Sequence, residues 1–393
     1  MGKLIYTFIV VTLAAIFFVP ISQFPDTKGP YDVGQIKYHW TDLNRKELNT
    51  NDLKHPYREI MAYVFYPTQK NNNSTHMLYN SDGAKSVMDN LARMTKLPSW
   101  LFSGIRFMKT HSQWNVPLAQ GSTHFPVIIF SHGGGPMIQH YTWLLEELTS
   151  YGFVVVGINH PYVANTVRFS DNRVVESIMT KKTTLFKNRK HYEKWRLEQI
   201  ETNAQDVSFA IDKIKNLAVQ GDEFWKNIKT NLIGVFGQSF GGAVALRATR
   251  NDQRIQCGIN IDERLSPEDL DKPFKTPFLF LLAKESHQWF KKKNLDDVMR
   301  LAKTDKTNMY TVMFTDITHG LFADYPFYYK TTLFMLLTSY LINPNLGVSV
   351  NKAIDVLVNQ IQPYIVEFFG KHLKDKQSKL LPGQKGNIVI KLK

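Results

Sequence analysis

An α/β fold, with a mostly parallel central sheet and helices on both faces, is what this sequence predicts. Two observations carry that expectation. Short apolar, β-branched runs recur along the chain, and helical stretches separate several of them. From residue 31 to residue 393 no Pro/Gly-rich linker interrupts the alternation, so that region reads as one domain.

The N-terminus stands apart. Lys3 precedes LIYTFIVVTLAAIFFVPISQF, and no charge follows until Asp26. Residues 1–25 therefore read as a signal peptide or a membrane anchor, and the protein as exported (secreted or periplasmic) or membrane-anchored. A cut after Ser22 would put Pro20 where a signal peptidase wants a small residue, so cleavage and anchoring both stay open.

Strands are expected at IMAYVFY (60–66), PVIIFS (126–131), FVVVGI (153–158), LIGVFG (232–237), CGINID (257–262), PFLFLLA (277–283) and MYTVMF (309–314). A helix is expected over 193–217, where Ile200, Val207, Ala210, Ile211 and Ile214 recur close to every 3.6 residues.

Composition narrows the function classes. Hydrophobic residues make up 43% and aromatics 13%, which suits a globular chain. The single cysteine, Cys257, excludes an intramolecular disulfide and a cysteine metal cluster. Net charge is +14, with basic runs at 181–190 and 291–293. Such runs are solvated loops or attract an anionic surface such as phospholipid headgroups. No zinc-finger spacing or Gly-rich phosphate loop points to nucleic acid.

The chemistry concentrates in GQSFGGAVA. Ser239 lies between Gly237 and Gly241, after an apolar strand and before a helical run. That is the context of a strand-to-helix elbow that lifts a serine nucleophile clear of the backbone. The amide of Phe240 is then available to a developing oxyanion. A second donor is expected after an earlier strand, and PVIIFSHGGGPM supplies the turn, with the Gly134 amide nominated. His132 in that turn reads as a structural hydrogen-bonding group. The base should come late. Of His287, His319 and His372, His319 in MFTDITHGLFADYPF follows the last expected strand, where a loop can hang over the elbow. For the acid, Asp262 at the end of CGINID and Glu285 after FLFLLAKE both remain open; Asp269 and Asp271 read as solvated. This chemistry requires no cofactor and no metal.

From about residue 55 to 370 the chain resembles the platelet-activating factor acetylhydrolase family, serine-dependent phospholipase A2 enzymes of the α/β-hydrolase fold. The resemblance rests on AYVFYPT, QWNVPL, FPVIIFSHGGG, GFVVVGINHPY, GQSFGGA, NID and THGLFADY. It implies that Asp262 is the acid, His319 the base, and Gly134 and Phe240 the oxyanion donors. It further implies calcium-independent hydrolysis of a short or oxidised sn-2 acyl ester, where the same triad could also serve a general carboxylesterase or a dienelactone-hydrolase-like enzyme. A non-catalytic binding protein of this fold would need none of the triad. The sequence departs at GGG, where animal members carry a larger residue at the position of Gly134, and at ERLSPED, which lacks an aromatic after the acid. Residues 97–108 are dense in Leu97, Trp100, Leu101, Phe102, Ile105, Phe107 and Met108, interrupted by Arg106. They read as core packing or as an interfacial helix on a lipid surface, and the resemblance favours the latter.

Overall fold

The computed structural model describes residues 23–50, 52–71, 76–79, 81–96, 98–120, 125–179, 186–269, 274–284, 293–304, 309–315, 317–329, 350–381 and 388–391. Most of residues 1–25, together with Glu285, His287 and Asp271, lie outside them.

In chain order the elements are β1 (Asp32–Lys46), β2 (Tyr57–Thr68), α1 (Ser81–Thr95), a 3₁₀ segment (Ser99–Phe107), β3 (Ser112–Trp114), β4 (Pro126–Ser131), α2 (Thr142–Ser150) and β5 (Val154–Asn159). A small hairpin follows, β6 (Thr166–Arg168) and β7 (Val174–Glu176), then α3 (Arg189–Val219), β8 (Lys229–Gln238), α4 (Phe240–Asn251) and β9 (Ile255–Ile261). The chain continues with β10 (Phe278–Ala283), α5 (Lys293–Thr304), β11 (Met309–Phe314), α6 (Tyr325–Tyr329), α7 (Val350–Val356), α8 (Gln362–Lys374) and β12 (Ile388–Lys391).

Ten strands form one sheet in the order β12-β11-β10-β9-β8-β4-β5-β2-β1-β3. From β12 to β5 every pairing is parallel; β2 runs antiparallel to both β5 and β1. The expected α/β architecture, a mostly parallel sheet with helices, is what the chain forms. All seven expected strands are present. Their near-continuous apolar character follows from burial on both faces, since β4, β5, β10 and β11 are buried at every position. The helix expected over 193–217 lies within α3, and Ile200, Val207, Ala210, Ile211 and Ile214 are all buried against one face of the sheet with Val235 and Val244. The opposite face packs on Ile128, Phe130, Phe236 and Phe369.

Register places the site. Ser131 of β4 pairs with Gly237 of β8, and Gln238 pairs with Ile261 of β9. The turn at 132–135, Ser239 and Asp262 therefore leave neighbouring strands at their carboxyl ends, where open parallel sheets form their crevices. Ala283 pairs with Phe314, so the loop after β11 emerges at the same edge.

The segment expected to meet lipid splits between both readings. Phe102, Ile105 and Met108 are core, whereas Trp100 and Phe107 are 59% and 57% exposed. It is a short 3₁₀ helix, so it presents two exposed aromatics rather than a continuous apolar face. Leu97 lies outside the described residues. Among the described residues no helix is long and apolar enough to cross a membrane.

Candidate active site

The elbow is built from contacts that exclude side chains. A Cβ on Gly237 would lie 2.1 Å from the Gly241 carbonyl oxygen, and one on Gly241 would lie 2.0 Å from that of Ser131. Backbone packs on backbone there, so only glycine fits. Ser239 sits between them at φ 54° and ψ −126°, a conformation that L-residues avoid. It is held because its N–H donates to the Ile261 carbonyl (2.8 Å) and its own carbonyl accepts from the Gly242 N–H (2.7 Å). The serine is thereby fixed at the N-terminus of α4, beside the orphan amides of the first helical turn.

His319 begins the 3₁₀ turn His319–Phe322 that follows β11. Its Nδ1 is 2.7 Å from Asp262 Oδ2. Asp262 is fully buried just past β9, and its other oxygen accepts the Ala283 N–H at 2.8 Å. A carboxylate held in this way orients the imidazole and fixes which ring nitrogen carries the proton. Glu285 lies outside the described residues. His372, the late alternative to His319, is on α8 against the rings of Tyr310 and Phe368.

A residue that sequence reasoning passed over links the parts. Gln238, directly before the serine, accepts from the buried Tyr141 hydroxyl at 2.8 Å. Its amide nitrogen donates to the His319 carbonyl (3.2 Å) and lies 3.3 Å from His319 Nε2. The Tyr141 hydroxyl in turn accepts the Gly133 N–H at 3.1 Å. Burial pushes the Tyr141 phenol well above its ordinary value, so it stays a donor. The Gly-rich turn, the residue before the serine and the histidine loop are thus joined by one hydrogen-bonded chain. Within that turn the Gly133 amide goes to Tyr141 and the Gly135 amide to the Val163 carbonyl. Among the described residues the Gly134 amide has no partner, and both Gly134 and Phe240 line the cleft with Ser239 and His319. Met179 packs over the bare glycine: its sulfur lies 2.3 Å from where a Cβ on Gly134 would be, so a larger residue there would have to displace the methionine end.

Beneath the turn lies a buried ionic cluster that the sequence analysis left unread. Asp206 of α3 bonds Arg58 (2.7 Å), Arg45 (2.8 Å) and His160 Nδ1 (2.9 Å). His160 Nε2 then meets Ser131 Oγ at 3.1 Å, and the His160 N–H donates to His132 Nε2 at 3.0 Å. The order Ser131, His160, Asp206 imitates a triad, yet all three are buried and no ester could reach them. The arrangement braces the end of β4 that launches the Gly-rich turn. Arg58 and His160 hold the Asp206 carboxyl well below the usual carboxylate range despite its burial. Burial, with His160 nearby, lowers His132 to about 3, which keeps it neutral and suits its expected structural role. Asp269, expected to be solvated, is instead buried and pairs with Arg250 at 2.8 Å.

The model of the family "Platelet-activating factor acetylhydrolase, isoform II" matches residues 16–374. The chain belongs to that family. A dog platelet-activating factor acetylhydrolase is 28% identical, over 94% of this chain and 82% of its own length. A probable 1-alkyl-2-acetylglycerophosphocholine esterase of Arthroderma benhamiae is 23% identical, over 61% and 58%. Among solved structures, a ferulic acid esterase from Streptomyces cinnamoneus superposes with a TM-score of 0.68 at 21% identity, covering 92% of this chain and 96% of that one. This last likeness is one of fold.

Proposed function

We propose that the protein is a serine ester hydrolase that cleaves short or oxidised sn-2 acyl esters of platelet-activating-factor-like phospholipids. Ser239 Oγ attacks the ester carbonyl, and His319 Nε2 takes its proton and returns it to the departing alkoxide. Asp262 keeps the imidazole proton on Nδ1 and balances the imidazolium charge. The amides of Gly134 and Phe240 receive the oxyanion, and water then resolves the acyl-enzyme by the same proton transfers in reverse.

The observation that carries this reading is the 2.7 Å contact of His319 Nδ1 with buried Asp262, in a cleft that also holds the glycine-flanked Ser239. The substrate class rests on family membership and on the names of the relatives. Contact with a lipid surface is supported by exposed Trp100 and Phe107 beside Arg106, and export or anchoring by the uncharged run after Lys3.

The test is a substrate panel of sn-2 acetyl phospholipid, long-chain sn-2 phospholipid and nitrophenyl acetate. Between the two lipids, the higher kcat/KM is expected on the sn-2 acetyl one. Cleavage of the nitrophenyl ester with no turnover of either lipid would make the protein a general carboxylesterase instead.

A further inference from the structure

The lining of the cleft, about 540 Å³ in volume, divides by chemistry. Around the reacting groups it is apolar or bare backbone, from Gly134, Met179 and Phe240. Apart from Tyr192, the rest of the lining is charged, from the first turns of α3 and from the segment after Asp262, and Arg196 reaches to 5.8 Å from the Phe240 ring. Those charges form a ladder of alternating sign. Arg189 stands 3.9 Å from Glu193, and Arg264 bonds Glu193 at 2.8 Å. Arg264 also lies 3.9 Å from Glu263, which bonds Arg196 at 2.9 Å. Three arginines against two carboxylates leave one positive charge beside the ester site. Arg189, the outermost rung, is 81% exposed on its side chain, whereas Arg196 and Glu263 are nearly buried.

A hydrocarbon chain laid on this wall would strip water from ion pairs and return nothing. An anion with two oxygens would gain forked guanidinium donors, from Arg264, which Glu193 holds at 2.8 Å, and from exposed Arg189 at the rim. We infer that the ladder is an anion subsite, which grips a monoanionic group on the non-reacting part of the ester. This inference rests on the ester-hydrolase reading above. The monoanion can come from a phosphodiester headgroup or from a carboxylate at the far end of a short acyl chain, and both present the same pair of oxygens.

The two sources separate with three esters that share a short 1-O-alkyl chain and stay monomeric: the 2-acetyl glycerophosphocholine, the neutral 2-acetyl glycerol, and the 2-glutaroyl glycerol. Each is assayed with the parent, Arg189→Ala and Arg264→Ala. The parent should prefer an ester that carries the monoanionic group, whether as zwitterionic phosphocholine or as the glutaroyl carboxylate, to the ester without one by about tenfold or more in kcat/KM. Each variant should cut that ratio several-fold, and added salt should erode it in the parent, because the outer rung is exposed. The ester that carries the preference names the source. Arg189 is too exposed for its loss to unfold the chain, so an unfolded Arg264→Ala variant would not blunt the test. No preference in the parent, or the same ratio in the Arg189→Ala variant, overturns the inference. If the parent turned over none of the three esters, the hydrolase reading would fail on its own. Titration calorimetry with glycerophosphocholine and with monomethyl glutarate would then decide the subsite: binding of either that weakens in the Arg189→Ala variant supports it, and absence of binding of both by the parent overturns it.

Discussion

His319 Nδ1 and Asp262 Oδ2 meet at 2.7 Å although 57 residues separate them in sequence. Asp262→Asn should therefore leave the fold intact and lower kcat by about 10⁴ at neutral pH, since the tautomer is released and the imidazolium loses its counter-charge. Glu285→Gln, by contrast, should keep parental kcat. Steady-state assays of the two variants decide the assignment, and a dead Glu285→Gln enzyme beside an active Asp262→Asn enzyme would reverse it.

Gln238 should prove to be a positioning residue. Gln238→Ala removes one partner of the His319 carbonyl and of Nε2 and also strands the Tyr141 hydroxyl. A drop of about tenfold or more in kcat with little change in KM is expected, because the imidazole loses its fixed pose and not its substrate contacts. Tyr141→Phe should cost about 1–2 kcal/mol of stability, as it leaves the buried Gly133 N–H and the Gln238 oxygen unpaired. Denaturant titration measures the second effect. A rise in KM with unchanged kcat in the Gln238→Ala variant would contradict its role.

The elbow glycines admit no methyl. Gly241→Ala puts carbon 2.0 Å from the Ser131 carbonyl oxygen, a contact with backbone that cannot swing away. The variant should lose several kcal/mol of stability or fail to express as folded protein. A thermal midpoint equal to the parent's would refute the packing described here.

Much of the site was legible in the sequence because its physics is local. A serine among glycines after an apolar strand dictates an elbow, and seven apolar runs dictate seven strands. Other features escaped because their causes are long-range. Strand β1 (DVGQIKYHWTDLNRK) lies near the sheet edge and mixes apolar with solvated positions, so no buried-strand pattern marks it. The Asp206 cluster draws on β1, β2, the residue just past β5 and α3, and nothing in the residues around Arg58 or His160 announces that they meet. The contact of Asp262 with the His319 loop likewise depends on a distance that patterning does not encode.

Stability should fall on mild acidification. His132 and His140 are fully buried and lowered to about 3 by desolvation, against an ordinary value near 6.5. Below pH 6.5 the unfolded chain binds protons that these two native side chains refuse, so stability rises with pH across the window from about 3 to 6.5. Two such groups give a slope of about 2–3 kcal/mol per pH unit near pH 5. Calorimetry should show a thermal midpoint clearly lower at pH 5 than at pH 7. A midpoint independent of pH over that interval would mean that these histidines are not held neutral.

Covalent capture identifies the nucleophile, for which we propose Ser239. Incubation with a fluorophosphonate, followed by intact mass and peptide mapping, should give one adduct per chain, on Ser239, with loss of ester hydrolysis in proportion. The Ser239→Ala variant should take no label and lose about 10⁶ in kcat while remaining folded. Labelling at another residue, or a Ser239→Ala enzyme that keeps more than a tenth of parental activity, would contradict the account.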